Sequence, residues 1–456
     1  MQRERLGSRL GFILLSAGCA IGIGNVWKFP YVTGQNGGGI FVLIYLFFLA
    51  IMGIPVMTME FSIGRASKKS PAKMYQQLEK EGSKWHIHGF ASVIGNYLLM
   101  MFYTVVAGWM LKYFADIAFG KLQGLDTVAI GEHFGGVLAS PLSMTIYTWG
   151  VVIVGFLVCS FGLQNGLEKI TKIMMIALLA IMVVLAVNSI FMEDGREGLK
   201  FYLYPDINKM KEIGIFNVIV AAMNQSFFTL SLGMGAMALF GSYIGDERSL
   251  TGEAVNVAAL DTFVAFVSGL IIFPACAAYG VDVDSGPNLI FVTLPNIFNN
   301  IPFGRLWGSL FFVFLSFAAL STVFAVFEGI ISCTCDMLNC SRKKSCIINL
   351  IAMLVLCLPC VFGFNLLSNI TPFGEGSTIM DLEDFLVSNL LLPLGSFVFV
   401  LFCTNKSGWG FEKFTEEANK GSGLKVNKCL RGYVTYVLPV IIFVLFLVGI
   451  YNFFIA

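Results

Sequence analysis

Eleven apolar segments, each long enough to cross a lipid bilayer as a helix, dominate this chain of 456 residues. A spanning helix needs about 20 consecutive apolar residues, whereas the strands of a membrane barrel alternate over about ten. Charged residues make up 12% of the chain, against roughly 25% in a soluble domain. The sequence therefore predicts an all-α membrane protein with one transmembrane domain, residues 1–456. The predicted segments one to eleven are residues 9–33, 39–64, 88–118, 143–161, 166–191, 213–241, 252–280, 305–336, 346–364, 379–403 and 431–455.

Lys and Arg residues fall mainly on one side of this predicted topology. They are concentrated before segment one and in the loops after segments two, eight and ten. Because cytoplasmic loops carry an excess of Lys and Arg, we expect a cytoplasmic amino terminus. An odd number of segments then places the carboxyl terminus outside. The net charge of +1 does not predict nucleic acid as a partner, and the expected surroundings are a lipid bilayer.

Segment one contains glycines and polar residues where an uninterrupted helix is expected. Gly18, Gly22 and Gly24 lie within seven positions and are followed by Asn25 and Lys28. Irregular backbone at membrane depth is tolerated only where it is buried in protein or lines a cavity. Glycines can also serve helix–helix packing. A Gly-interrupted apolar segment is, however, typical of the binding site of a secondary transporter.

Segment six carries a second interruption, between Asn224 and Gly235. Segments one and six are five segments apart, and corresponding breaks in two halves of a chain indicate an inverted repeat. We therefore predict a five-plus-five inverted repeat. Its first half is 9–191, its second half is 213–403, and 431–455 is an additional helix.

Unwinding at these breaks would free carbonyl groups for Na⁺ and amide groups for an anion. Polar side chains at membrane depth could complete such sites: Asn25, Thr229, Asp261, Ser321 and Thr322. An ionisable residue inside a membrane segment indicates function by default, although Asp261 could also make a structural hydrogen bond to a neighbouring helix. Taken alone, Ser321 and Thr322 could bond back to their own helix.

Four blocks, in order, resemble the neurotransmitter:sodium symporter family. They are AIGIGNVWKFPYVTGQNGGGIF (Ala20–Phe41), GIPVMTMEFSIGR (Gly53–Arg65), FFTLSLGMG (Phe227–Gly235) and FAALSTVFAVFE (Phe317–Glu328). The chain is most similar to the bacterial eleven-span branch, near the tyrosine and hydrophobic amino-acid transporters. The resemblance implies a leucine-transporter-like fold with segments one and six unwound. It also implies a location in the bacterial cytoplasmic membrane, as a monomer or homo-dimer.

The resemblance further implies two Na⁺ sites and no organic cofactor. The first Na⁺ would be held, together with the substrate carboxylate, by the Ala20 carbonyl and the side chains of Asn25, Thr229 and Asp261. The second would be held by the Gly18, Ile21 and Ala318 carbonyls and the hydroxyls of Ser321 and Thr322.

Substrate contacts and gates follow from the same resemblance. The carboxylate would be held by the Ile23 and Gly24 amides and the Tyr103 hydroxyl. The amino group would meet the Ala20, Phe228 and Thr229 carbonyls and Ser231. Phe228 and Tyr103 would form the inner lid. Lys28 with Asp384 would form the outer gate, and Arg3 with Asp336 the cytoplasmic gate.

Gly22 determines the expected substrate class. Monoamine transporters of the family have an Asp at this position, and glycine leaves room for the carboxylate of an α-amino acid. The side chain would enter an apolar pocket lined by Leu99, Phe228, Met234, Thr322 and Val326. Met234 is adaptable, which favours the tyrosine, tryptophan, phenylalanine and leucine class, although it could merely pack. Asp261, with Ala265 in place of a Ser found in chloride-dependent members, predicts chloride independence.

Other kinds of membrane protein have different sequence requirements. A gated channel would need repeated filter elements around an axis, and the sequence contains none. A membrane enzyme would need a catalytic motif near its three His residues, His86, His88 and His133, and the sequence shows none there. Another Na⁺-coupled transporter of small solutes with the same fold remains an alternative.

Overall fold

The computed structural model describes residues 4–192, 195–280, 283 and 288–455, and these residues are predominantly helical. The helices of the predicted segments are Arg9–Ala20 with Gly24–Gln35 in segment one, Gly39–Ser67 in two, His86–Ala118 in three, Pro141–Ser160 in four, Leu163–Ile190 in five, Ile215–Phe228 with Ala236–Gly241 in six, Leu250–Ala278 in seven, Gly304–Leu338 in eight, Arg342–Gly363 in nine, Ile379–Thr404 in ten and Lys428–Tyr451 in eleven. Short helices lie between them at Pro71–Leu78, Thr127–Leu138, Arg196–Leu203, Ile207–Ile213, Leu289–Thr293, Leu294–Asn300 and Phe411–Ala418.

Nine helices within the described ranges are long and apolar enough to cross a membrane, and the bent pair of segment one would make ten. Segment six, predicted as one interrupted span over 213–241, consists of two helices. Its 14-residue helix Ile215–Phe228 and 6-residue helix Ala236–Gly241 are each too short to cross alone. The total of eleven spans therefore stays a prediction. It requires that the two helices of segment six cross the membrane together.

The two breaks have local backbone causes. In segment one, the helix ends at Ala20 and the chain resumes as a π-helical turn at Gly24, with a bend of 59° between the two halves. In segment six, Ser231, Gly233 and Gly235 have positive φ values of 51°, 99° and 77°. This left-handed region suits glycine and is incompatible with a continuing α-helix.

Segments three and eight support both breaks. Gly304–Leu338 packs along His86–Ala118 and also contacts Arg9–Ala20. The broken part of segment six lies close to segment ten: a Cβ added at Gly395 would lie 2.0 Å from the Gly233 carbonyl oxygen. No side chain fits between these two backbones, so the backbone of segment ten packs directly against the backbone of the break in segment six.

Residues 4–8 are bonded to the start of segment five. Glu168 accepts hydrogen bonds from the Gly7 amide (2.7 Å) and the Ser8 hydroxyl (2.9 Å). The Leu163 amide donates to Glu4, and the Gln164 side chain donates to the Arg5 carbonyl. The first half of segment one is thereby fastened to segment five at this end of the bundle.

Candidate functional site at the two broken helices

Three buried polar side chains from segments one, six and seven form one hydrogen-bonded cluster. The Asn25 amide donates to Asp261 Oδ1 (2.8 Å) and to the Thr229 hydroxyl (3.1 Å). The Thr229 hydroxyl donates to Asp261 Oδ2 (2.8 Å). All three side chains are at most 1% exposed. The cluster holds the two breaks together around one carboxylate, with oxygen atoms of the kind that hard cations prefer.

A second oxygen cluster lies between the break of segment one and segment eight. The Thr322 hydroxyl is 3.4 Å from each of the Gly18, Ile21 and Ala318 carbonyl oxygens. The Ser321 hydroxyl lies 2.9 Å from the Ala318 oxygen and 3.5 Å from the Ile21 oxygen. The five groups predicted for the second Na⁺ therefore lie together. Back-bonding within segment eight does occur, but both hydroxyls also reach segment one.

Tyr103 of segment three reaches the break of segment one. The Ile23 amide donates to the Tyr103 hydroxyl at 3.1 Å. A Cβ at Gly22 would lie 2.5 Å from this hydroxyl and 2.9 Å from Thr322 Oγ1, and one at Gly24 would lie 2.7 Å from the Phe228 ring. Side chains of segments three, six and eight thus converge on two glycines, where only a glycine fits without rearrangement.

The remaining predicted pocket residues lie on the elements around this point. Met234 and Val326 are each 3% exposed, and Leu99 is partly buried on segment three. Ser231 has its hydroxyl 3.5 Å from the Cys19 carbonyl, next to the predicted Ala20. Ala20 itself is the last residue of its helix.

The residues of the predicted gates make the following contacts among the described residues. Lys28 and Asp384 do not form an ion pair within 4.0 Å in the described part of the chain. Lys28 Nζ lies over the Phe228 ring instead, and Asp384 accepts a hydrogen bond from Ser388. Arg3, the predicted partner of Asp336, lies outside the described residues. Asp336 accepts a hydrogen bond from the Ser70 amide at 2.8 Å.

Glu60 in segment two is a site residue that sequence reasoning did not single out. It is fully buried, and its Oε1 accepts a 2.6 Å hydrogen bond from the Gly233 amide. This carboxylate satisfies a backbone donor that the break of segment six leaves without a helical partner. The signal was present in the sequence, since an acidic residue inside an apolar segment indicates function.

Two broken helices around buried oxygen clusters, with a tyrosine aimed at freed backbone amides, define the class of secondary membrane transporters. The particular family follows from comparison. The model described as the Sodium:neurotransmitter symporter family matches residues 3–123 and 136–455, and the chain belongs to this family. It is a sodium-dependent membrane transporter and not an enzyme.

Individual transporters are also similar to this chain. An uncharacterized sodium-dependent transporter of Bacillus subtilis is 33% identical over 395 residues, which cover 87% of this chain and 86% of that protein. The rat sodium- and chloride-dependent taurine transporter is 27% identical over 391 residues, covering 75% of this chain and 62% of that protein. The crystal structure of MhsT in complex with L-phenylalanine is 36% identical, with a TM-score of 0.87 over 98% of this chain and 100% of that chain.

Proposed function

We propose that this protein is a Na⁺-coupled symporter that imports hydrophobic and aromatic L-amino acids by alternating access. The observation that carries the proposal is the position of Gly22. Its amide donates to the Asn25 side chain at 3.2 Å, and its Cα faces Thr322 and Tyr103. Gly22 therefore lies beside both oxygen clusters and the tyrosine, and a ligand next to its Cα would be close to all three.

The two Na⁺ ions are transported ions in this scheme. The first would bind at Asn25, Thr229 and Asp261 with the Ala20 carbonyl and the substrate carboxylate. The second would bind at Ser321 and Thr322, with the Gly18, Ile21 and Ala318 carbonyls completing its oxygen shell. Because the first ion shares the carboxylate, binding of Na⁺ and of amino acid would be coupled directly.

The proposed substrate would bind with its carboxylate at the Ile23 and Gly24 amides and the Tyr103 hydroxyl. Its amino group would meet the Ala20, Phe228 and Thr229 carbonyls and Ser231. The side chain would lie among Leu99, Phe228, Met234, Thr322 and Val326, where an acidic or basic group would lose its hydration without a partner. The similarity to MhsT, whose structure contains L-phenylalanine, supports an apolar substrate.

Alternating access would follow from movement of the broken halves. We propose that segments one, two, six and seven rock against the rest, in a five-plus-five inverted repeat with segment eleven added. In the proposed orientation residues 4–8 face the cytoplasm, so their bonds to segment five would break as the inner side opens. Each charge moved inward gains about 2.3 kcal/mol per 100 mV of membrane potential.

Uptake of radiolabelled amino acid into proteoliposomes tests this function. An inward Na⁺ gradient should drive accumulation, a K⁺ gradient should not, and unlabelled phenylalanine, tyrosine, tryptophan and leucine should compete most strongly among the twenty amino acids. Asp261→Ala should abolish Na⁺-dependent uptake, whereas Asp126→Ala, at an exposed helix cap, should retain it. Full uptake by Asp261→Ala contradicts the site, and conductance without saturable counterflow would indicate a channel.

A further inference from the structure

Gly95 lies on the face of segment three that carries Leu99 and Tyr103. Residues four apart on a helix share one face, so positions 95, 99 and 103 form a stripe within His86–Ala118. At 1.5 Å per residue, Gly95 lies about 12 Å along the helix from Tyr103. Tyr103 bonds the Ile23 amide, where the proposed carboxylate would bind. Gly95 is therefore at the opposite end of the stripe, beyond Leu99.

Gly95 is in close contact with the side chain of Met234. A Cβ at position 95 would lie 2.9 Å from Met234 Sδ and 3.2 Å from Leu391 Cδ1. Real Cβ atoms essentially never approach a neighbour below 3.0 Å. Since Met234 is only 3% exposed, its thioether fills the space that the missing side chain of Gly95 leaves.

The backbone of Met234 is held by the residue after Gly95. The Asn96 side-chain amide donates to the Met234 carbonyl at 3.3 Å and to the Ser92 carbonyl of its own helix at 2.9 Å. Asn96 is itself 3% exposed. Because segment three fixes the backbone of Met234, pressure from position 95 must be relieved by the flexible thioether.

We propose that Gly95 is a specificity-determining residue, which acts by positioning Met234. By leaving room for the thioether, it deepens the side-chain pocket enough for aromatic amino acids. A methyl group at position 95 displaces Met234 toward the substrate and makes the pocket shallower. This inference rests on the proposed function, since it concerns the same amino-acid site, and it extends the site to a residue that does not touch the substrate.

Competition binding with purified protein in Na⁺ buffer tests the proposal. Gly95→Ala should weaken binding of tryptophan, phenylalanine and tyrosine by about ten-fold or more relative to valine and leucine, since one methyl-sized change in an apolar pocket alters discrimination by roughly 10 to 200-fold. Gly150→Ala is the matched control, because it is also a helical glycine and a Cβ there has no neighbour within 4 Å. It should leave the order of preference unchanged.

The double variant Gly95→Ala/Met234→Ala distinguishes positioning from a general loss of structure. Shortening Met234 removes the displaced thioether, so aromatic binding should return toward the value of Met234→Ala alone. An unchanged preference in Gly95→Ala overturns the inference but leaves the proposed function standing. A loss of all binding in Gly95→Ala that the double variant fails to restore also overturns the inference and leaves the proposed function standing. Absence of Na⁺-dependent amino-acid binding in the unaltered protein overturns the proposed function and the inference with it.

Discussion

The ammonium group of Lys28 lies against the aromatic face of Phe228, with Nζ 3.6 Å from the ring centroid. This contact joins the second half of segment one, Gly24–Gln35, to segment six. The same ring packs over Gly24, so it lies between Lys28 and the proposed carboxylate site. A desolvated cation–π contact is worth about 2 kcal/mol. It therefore links the predicted gate cation directly to the predicted lid.

Replacing Phe228 with leucine should weaken the contact by which Lys28 holds the predicted lid over the substrate site. The variant keeps an apolar side chain but loses the ring face, so we expect amino-acid affinity to fall about ten-fold, with faster release of bound substrate. Phe227→Leu is the control, since Phe227 is the adjacent buried ring and has no cation over it among the contacts of the described residues. Dissociation of radiolabelled substrate measures the effect. Equal release from both variants would argue against a closing role for the Lys28 contact.

Ser321→Ala should raise the Na⁺ concentration needed for half-maximal binding. The variant removes a hydroxyl that reaches the Ala318 and Ile21 carbonyls, and loss of one polar partner costs about 1–3 kcal/mol. Ser316→Ala on the same helix is matched, because its buried hydroxyl bonds only back to Phe312 among the described contacts. Na⁺ titration of substrate binding should separate the two. If Ser316→Ala shifts the Na⁺ titration as much as Ser321→Ala, the second oxygen cluster stabilises the helix packing and does not bind Na⁺.

Uptake should not depend on chloride. The fixed carboxylate of Asp261 lies inside the first cluster, and Ala265 lies one turn further along the same helix, fully buried. We propose that the Asp261 carboxylate, when a Na⁺ is bound beside it, supplies the negative charge for which other members would need a bound anion. Replacement of chloride by gluconate on both sides of proteoliposomes should leave the initial rate of uptake unchanged. A large drop in rate would refute chloride independence.

Arg65→Ala should destabilise the whole protein. Arg65 is buried, pairs with Glu417 at 2.7 Å and donates to the Arg248 carbonyl at 2.7 Å. Lys420 also bonds Glu417, which raises the pKa of Lys420. Removing one partner of a buried ion pair costs about 3–5 kcal/mol.

The control for this change is Arg431→Ala. Arg431 pairs with Glu412 at 2.8 Å, but the two side chains are 56% and 71% exposed, and such pairs contribute about 0–1 kcal/mol. Unfolding midpoints in detergent should therefore fall for Arg65→Ala and hold for Arg431→Ala. A similar midpoint for both variants would mean that the buried network contributes little to stability.

Both breaks and the five polar side chains of the two oxygen clusters were predicted from the sequence, because glycines and polar groups are costly inside apolar segments. Asn25, Thr229 and Asp261 are far apart in the chain, and their contact followed only from the family resemblance. The contact of Lys28 with Phe228 was not predicted. The family resemblance implied Asp384 as its partner, but whether a flexible lysine reaches a carboxylate or a ring depends on how the helices are placed.

The local sequence pattern also could not predict which residues pack against the break in segment six. The carboxylate of Glu60 meets the Gly233 amide across two segments, and the Gly233–Gly395 approach joins two backbones. Neither contact leaves a spacing that can be read along the chain. Such long-range packing is specified jointly by several helices, so it appears only when their relative positions are known.

The hydrogen bonds between residues 4–8 and segment five make movement at this end of the bundle measurable. Arg5 and Gln164 are both exposed, yet the Gln164 side chain donates to the Arg5 carbonyl at 2.8 Å. Spectroscopic labels at these two positions would start close together and separate whenever this end of the bundle opens. The distance between the labels would report, in single molecules and without a labelled substrate, when this end of the bundle opens and closes during the transport cycle.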